Sequence, residues 1–297
     1  MDKPSSVGPC PACGDPRTRT AGLKTEDRYQ LLRCIRCRSQ FFVDCSKQAS
    51  DSQSHYKWES YKLAVYKDEA VREGFASRYA GLLSHARSEQ GGLSSVLDIG
   101  CGIGNFLDFA QHHGLRAVGS DVSPRAVAEA RARGLEAYLA DELDTAVADN
   151  SFDALTLWDV IEHVEAPEAL LLAVMPKLRR GGVLLFETPD GGFPVRTLLL
   201  ALHKYSYGRF NLTQPMYYWE HKVYLTESGM RELLDRVGAD VVYVERATSV
   251  RAKMQREFAV RTSKKGKLLR ITWPVLEYVF RKAGWGNKLL VVARRRT

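Results

Sequence analysis

Four of the six cysteines stand as two C-x2-C pairs, Cys10-Pro-Ala-Cys13 and Cys34-Ile-Arg-Cys37, with 20 residues between them. Each C-x2-C turn aims two sulfurs at one centre, and Zn²⁺ takes four thiolates tetrahedrally, so the spacing predicts one zinc ion held by Cys10, Cys13, Cys34 and Cys37. Four sulfurs leave no open position, which makes this zinc structural rather than catalytic. Redox use of such pairs wants a strand–helix–strand setting, and none surrounds them. Cys45 and Cys101 are left over.

A second constellation begins at Val96-Leu97-Asp98-Ile99-Gly100-Cys101-Gly102-Ile103-Gly104-Asn105-Phe106, an apolar strand running into a glycine-rich turn and then a helix. Glycines there let the backbone turn sharply and approach a ligand at the carboxyl end of a strand. The pattern is G-x-G-x-G, not the G-x-G-x-x-G of dinucleotide binders, and Asp98 precedes it. A carboxylate there repels a pyrophosphate and welcomes an ammonium or sulfonium. Asp121 follows Gly100 by 21 residues, where Rossmann-like folds hydrogen-bond a ribose. Together these describe a pocket for a nucleoside with a cationic tail and no phosphates. Two histidines are candidate bases: His163, and His221 within Tyr218–Thr226. An unperturbed imidazole titrates near pH ~6.5, which suits proton removal from a hydroxyl.

The elements that must position these groups can be read from periodicity. Beyond residue 94, apolar runs at 95–99, 116–119, 136–139, 152–157 and 183–187 alternate with helix-like segments at 104–113, 123–133 and 167–179. A further helix over 226–237 and strands at 239–244 and 288–292 complete seven strands. This alternation predicts an α/β fold: a Rossmann-like, mostly parallel seven-stranded sheet with helices on both faces, plus a small N-terminal zinc ribbon. Ser123 and Pro124 mark a helix start as N-cap and first helical residue. The expected organisation is a zinc ribbon over 1–45, a serine-rich linker and helical segment over 46–93 with aromatic residues from His55 to Tyr61, and a main domain over 94–297 interrupted at about 190–219 and 247–286. Composition agrees with a globular chain, at 45% hydrophobic and 26% charged residues. Neither a signal peptide nor a run of 18 apolar residues is found, and the reading is a cytoplasmic protein. The net charge of +8 is uneven: residues 251–297 hold 14 Lys/Arg against two acids, leaving 1–250 net acidic.

Over roughly residues 94–245 the sequence resembles the class I S-adenosylmethionine-dependent methyltransferases. The resemblance implies that S-adenosylmethionine is the cofactor, that Val96–Gly104 with Asn105 and Phe106 forms its loop, and that Asp121, followed by Val122, takes the ribose hydroxyls. It further implies that Asp141 and Glu142 lie beside the adenine and that Trp158 and Asp159 face the methionine end. Asp159, Glu162 and His163 also resemble the metal-binding set of ubiquinone-pathway O-methyltransferases. Since Glu-His at this place is widespread in methyltransferases without metal, catalytic Mg²⁺ is not expected. The Asn/Asp-Pro-Pro-Tyr/Phe box of adenine and glutamine N-methylation is absent from 158–161. Glu220-His221-x-x-Tyr224-x-Thr226 resembles a stretch of bacterial small-molecule enzymes that carry an N-terminal zinc ribbon.

Two regions could select the acceptor. One is 190–219, with an apolar run and then Tyr205, Tyr207, Phe210, Tyr217, Tyr218 and Trp219; the other is the basic segment Arg251–Gly284, in which Pro274 is expected to limit one continuous helix. Apolar and basic residues in one segment suit a greasy or acidic acceptor, with peripheral contact to an anionic membrane surface. The expected function is O-methylation of a small-molecule, glycan or lipid-linked acceptor. The competing reading is an RNA methyltransferase gripping nucleic acid with its ribbon and basic segment, disfavoured by the acidic balance of residues 1–250.

Overall fold

A computed structural model of the chain describes residues 8–25, 28–45, 65–207, 209, 213, 216–218, 220–260 and 264–297, the side chains of 257–260 and 264–271 excepted. The linker after residue 45, the aromatic stretch from His55 to Tyr61, Phe210 and Trp219 lie outside the described residues. In chain order the strands are β1 (Thr18–Thr25), β2 (Tyr29–Cys34), β3 (Gln40–Asp44), β4 (Ser95–Ile99), β5 (Arg116–Asp121), β6 (Glu136–Leu139), β7 (Phe152–Trp158), β8 (Leu178–Pro189), β9 (Val223–Tyr224), β10 (Ala239–Ala247) and β11 (Lys288–Arg295). The helices are α1 (Glu69–Gln90), α2 (Asn105–His112), α3 (Pro124–Ala132), α4 (Leu143–Ala146), α5 (Pro167–Val174), α6 (Pro194–Tyr205), α7 (Glu227–Arg236), α8 (Arg251–Val260) and α9 (Lys264–Lys282), with 3₁₀ turns at Ile161–His163 and Met175–Lys177.

Contacts sort these elements into two compact units, each assembled from segments distant in sequence: 51–158 with 175–187 and 241–297, and 1–50 with 159–174 and 188–240. The first is built on the seven-stranded sheet, in the order β10-β11-β8-β7-β4-β5-β6. Strands β8, β7, β4, β5 and β6 pair in parallel. Their near-continuous apolar runs are those of strands covered on both faces, with Val96, Leu97, Val118, Leu155 and Leu184 wholly buried. Chain order reverses direction on either side of β4, and at such a switch point the carboxyl ends of neighbouring strands open a crevice. The registers Ile99↔Ser120, Asp121↔Leu139 and Asp98↔Thr156 bring the acids ending β4 and β5 to that edge.

Local chemistry starts and stops the helices. The Ser123 side chain accepts from Ala126 N (3.2 Å) with Pro124 at the first helical position, as the sequence predicted. Asp68 caps α1 through Val71 N (3.2 Å), and Gly91 ends it at φ 73°. Two expectations fail at prolines. The helix expected over 167–179 stops at Val174, because Pro176 breaks the hydrogen-bond ladder and the next residues form a 3₁₀ turn that leads into β8 at Leu178. Pro274 does the opposite of what was expected: α9 runs through it. One backbone bond is lost there, while Trp273, Glu277 and Phe280 hold the helix by burying its inner face.

The second unit contains the four paired cysteines. Strands β1, β2 and β3 form an antiparallel meander that β9 extends through Gln40↔Tyr224 and Phe41↔Val223. The knuckle at Cys37 seats on the start of α7: Thr226 Oγ1 and Ser228 Oγ donate to the Cys37 carbonyl (2.6 and 2.9 Å), while Thr226 N donates to Ser39 Oγ (3.1 Å). Gly229 permits this approach, since a Cβ there would overlap Ser39 Oγ and come within 3.2 Å of the Cys37 sulfur.

Candidate active site

Within the sheet unit the turn after β4 is wound by three left-handed glycines, Gly100 (φ 73°), Gly102 (φ 54°) and Gly104 (φ 82°), and held by Gly100 N and Cys101 N donating to Ser120 O (2.7 and 3.0 Å). The glycines serve different ends. A Cβ at Gly104 would strike Leu135 and crowd Ala130, so this glycine packs α2 against its neighbours. At Gly102 nothing lies within 4 Å, which leaves that face open to a ligand's close approach. Gly119 on β5, not singled out in the sequence, is needed as well, because a Cβ there would meet the Cys101 side chain.

Asp98 is buried below the turn and accepts a 2.6 Å bond from Thr156 Oγ1, a partner that sequence reading did not supply. Burial, reinforced by the nearby charge of Asp121 and opposed by the Thr156 bond, pushes its pKa up to about 8. Asp121 is half-buried; its two oxygens accept from Gly102 N (2.8 Å) and Ser123 N (2.9 Å), tying the glycine turn to the α3 start. Beside it Val122 is 84% exposed, an apolar side chain offered to solvent at a strand end.

The other expected cofactor residues divide. Asp141 is exposed. Glu142 accepts from Leu139 N and Arg131 (both 3.0 Å), bonds that hold its carboxyl below the usual range and brace the turn after β6. Asn105 donates to Tyr66 O (2.8 Å) and accepts from Arg133 (3.2 Å). The Phe106 side chain belongs to the core, because the first turn of α2 faces the Tyr79 and Trp158 rings, 5.0 and 5.2 Å away. Trp158 ends β7 with its ring tilted 57° against that of Tyr79 at 4.5 Å, and Asp159 follows in the left-handed region (φ 54°), a strained conformation of the kind that collects at functional sites.

In the ribbon unit the two candidate bases meet. The rings of His163 and His221 lie edge to face at 4.7 Å, and with the buried Glu162 they offer three ligand or proton-transfer atoms within 4.8 Å of one another. His163 Nδ1 faces the Glu220 carbonyl at 3.1 Å; a carbonyl only accepts, so Nδ1 is the nitrogen that donates there. Thr188 Oγ1 donates to Glu162 (3.2 Å). Asp159, Glu162 and His163, whose pattern resembles a metal-binding set, divide in the structure. The 3₁₀ turn brings Glu162 and His163 to His221, and Asp159, ahead of that turn, is not in the group. Two imidazoles and one carboxylate form a softer donor set than the carboxylates Mg²⁺ prefers. Around them, the buried Arg196 lies 4.4 Å from the Tyr224 ring centre and 5.2 Å from that of Tyr217, whose hydroxyl donates to Gln40 of β3 (2.5 Å). Neither Arg196 nor Gln40 was singled out in the sequence, which gives no sign that a ribbon residue would bond the 190–219 insertion.

The four ribbon cysteines are buried and their sulfurs converge, with Cys10···Cys37 at 3.7 Å and Cys13···Cys34 at 3.5 Å. A tetrahedral zinc with ~2.3 Å bonds sets sulfurs ~3.8 Å apart, so the donor set and its spacing fit. The crowded thiols compete for protons: the Cys37 pKa falls to about 5 as its sulfur accepts from Cys10, while that bond and burial push Cys10 far up.

Sheet order, glycine turn and flanking acids define a protein of the class I S-adenosylmethionine-dependent methyltransferase fold. Residues 70–244 match the family described as Methyltransferase domain, and the chain belongs to that family. A 100-residue stretch is 34% identical to the ubiquinone biosynthesis O-methyltransferase of Xanthomonas oryzae pv. oryzae (strain PXO99A), covering 31% of this chain and 42% of that protein. A 133-residue stretch is 30% identical to the enzyme of the same name from Idiomarina loihiensis, covering 42% of this chain and 51% of the relative. The chain thus spans about half the length of these curated relatives. Among solved structures, a putative sarcosine dimethylglycine methyltransferase from Galdieria sulphuraria superposes with TM-score 0.55 at 14% identity, over 80% of this chain and 98% of that one. The plantazolicin methyltransferase BamL, solved with S-adenosylhomocysteine (SAH), gives 0.53 at 16%, over 82% and 92%. These two likenesses concern the fold.

Proposed function

We propose that the chain transfers the methyl group of S-adenosylmethionine to an oxygen of a small-molecule acceptor, with glycan and lipid-linked molecules inside that class. The observation that carries the cofactor is the open Gly102 between two acids, the buried Asp98 below the turn and Asp121 at the end of the next strand. When bound, S-adenosylmethionine supplies a methyl carbon on a sulfonium, which the acceptor oxygen displaces in line as the carbon–sulfur electron pair returns to sulfur. The chain's part is to bind and orient, and to take the hydroxyl proton. Asp98 balances the positive end, Asp121 fixes the ribose, and Val122 gives the adenine an apolar contact. His163, its ring oriented by the Nδ1 contact to the Glu220 carbonyl, or its neighbour His221 is the base. The relatives' name, O-methyltransferase, supports oxygen as the atom methylated.

A zinc ion on Cys10, Cys13, Cys34 and Cys37 belongs to the same proposal, in a structural part. The seating of the Cys37 knuckle on α7 favours a ribbon that braces its unit over one that grips RNA. The test is to incubate the protein with methyl-labelled S-adenosylmethionine and a cell extract divided into metabolite, lipid and RNA fractions. Label is expected in a metabolite or lipid as a base-stable methyl ether. Label confined to RNA, or to an amine, would overturn the oxygen acceptor.

A further inference from the structure

Helix α9 presents two chemically distinct faces. Inward it buries Trp273, Glu277 and Phe280, spaced as one helical stripe, and Arg251 donates to Glu277 at 2.8 Å. Outward it exposes Val275 (65%), Tyr278 (63%) and Val279 (49%), at spacing i, i+3, i+4, with Trp285 (41%) three residues beyond the helix end. Scattered single apolar residues on a surface need no explanation, but three large ones on one helix face with a tryptophan at its end do.

The charges sharpen the point. The α9 sequence carries Lys264, Lys265, Lys267, Arg270, Arg281 and Lys282 against one acid, Glu277. That acid is the residue turned inward and paired with Arg251, so among the described residues the outer face of α9 carries no negative charge. The Lys282 amine lies 5.9 Å from the Tyr278 ring centre, a long basic chain lying along an apolar neighbour. From this we infer that α9 is a peripheral docking surface for an anionic lipid bilayer, lying in the interface plane with Val275, Tyr278 and Val279 entering the acyl boundary and its lysines and arginines meeting lipid phosphates.

The occupant is argued from complementarity. A second copy of the chain would bring an equally basic helix against this one, and like charges oppose that pairing. RNA would take the charges but gain little from two exposed valines, whereas a bilayer uses both, and tyrosine and tryptophan suit its interface. No helix among the described residues is long and apolar enough to cross a membrane, so the contact is one of lying on the surface.

The experiment is flotation of the full chain with phosphatidylglycerol–phosphatidylcholine vesicles and with phosphatidylcholine vesicles, at low and high salt. Binding is expected only to the anionic vesicles, and is expected to fall with salt because the attraction is screened over a Debye length of roughly 8 Å at physiological strength. The triple variant Val275→Ser/Tyr278→Ser/Val279→Ser, at exposed positions, should lower the bound fraction on the order of tenfold, with thermal unfolding and SAH affinity unchanged. Arg281→Gln/Lys282→Gln should weaken binding and flatten its salt dependence. Equal flotation in every condition would overturn the proposal, as would a triple variant that floats like the parent. So would a triple variant whose only change is a smaller mass by light scattering, which would mark the face as an interface between copies. RNA binding without vesicle binding would assign the face to nucleic acid instead.

Discussion

Asp98 connects a position readable in sequence to a property that only packing supplies. Its place before the glycine turn is local, but its pKa of about 8 comes from burial beneath strands that the sequence does not put side by side, and from Asp121 at the end of the next one. Since the folded value lies above the ordinary carboxylate value of about 3.9, the folded protein holds an extra proton between them. Stability from this group is therefore full below about pH 4 and is lost as pH rises through about 8. A bound cation reverses the preference by favouring the charged carboxylate. Affinity for S-adenosylmethionine is thus expected to rise with pH up to about 8, with proton release at neutral pH, and Asp98→Asn should remove both effects. Calorimetry in buffers of different ionisation enthalpy measures the released proton; equal apparent enthalpies in all of them would show that Asp98 is not what meets the cation. The histidines make a second prediction at this scale. His163→Ala and His221→Ala should each leave SAH affinity within about twofold, and the variant lacking the base should lose roughly a hundredfold or more in kcat. If both variants turned over like the parent, deprotonation by this pair would be excluded.

At the scale of elements, what proved legible was what is decided locally. The Ser123 cap depends on neighbouring residues and stands where the sequence placed it, and the helix read over 226–237 forms as Glu227–Arg236. Pro176 and Pro274 show the limit: one residue type ends α5 and is carried inside α9, the difference being an apolar inner face that tertiary packing provides. The ribbon shows it too. Its cysteine spacing is plain in sequence, yet the bonds from Thr226 and Ser228 to Cys37, and the space at Gly229 that admits them, join residues almost 190 apart. Gly229→Val should therefore disturb the zinc site without touching a ligand. Metal analysis after brief exposure to a chelator is expected to show less than one zinc per chain for Gly229→Val and near none for Cys34→Ser, both with lowered thermal stability. Full zinc and unchanged unfolding in Cys34→Ser would mean the four cysteines do not form a zinc site.

For the molecule as a whole, the parallel sheet could be anticipated from strand–helix alternation, but the ties closing the sheet unit could not, because ion pairs between remote residues leave no periodic trace. Glu187 in β8 is 1% exposed and accepts two 2.8 Å bonds from Arg78 of α1, while Lys288 of β11 stands 3.6 Å away. Arg78 also donates to Thr248 O (2.5 Å), just ahead of α8, so one carboxylate organises four parts of the chain. A buried pair of this kind is poor evidence of net stabilisation, since desolvating the charges offsets much of their attraction. Removing one member is different, for it strands the others without a counter-charge. Glu187→Ala is expected to cost about 3–5 kcal/mol, a large part of the roughly 5–15 kcal/mol that holds a typical protein folded. Arg78→Met/Glu187→Met, which withdraws the main pair and replaces it with apolar volume, should recover much of that loss. Urea unfolding of parent, single variants and double variant measures the coupling directly. If Glu187→Ala unfolded within about 1 kcal/mol of the parent, water would have to reach this cluster, and its role would reduce to that of a surface pair.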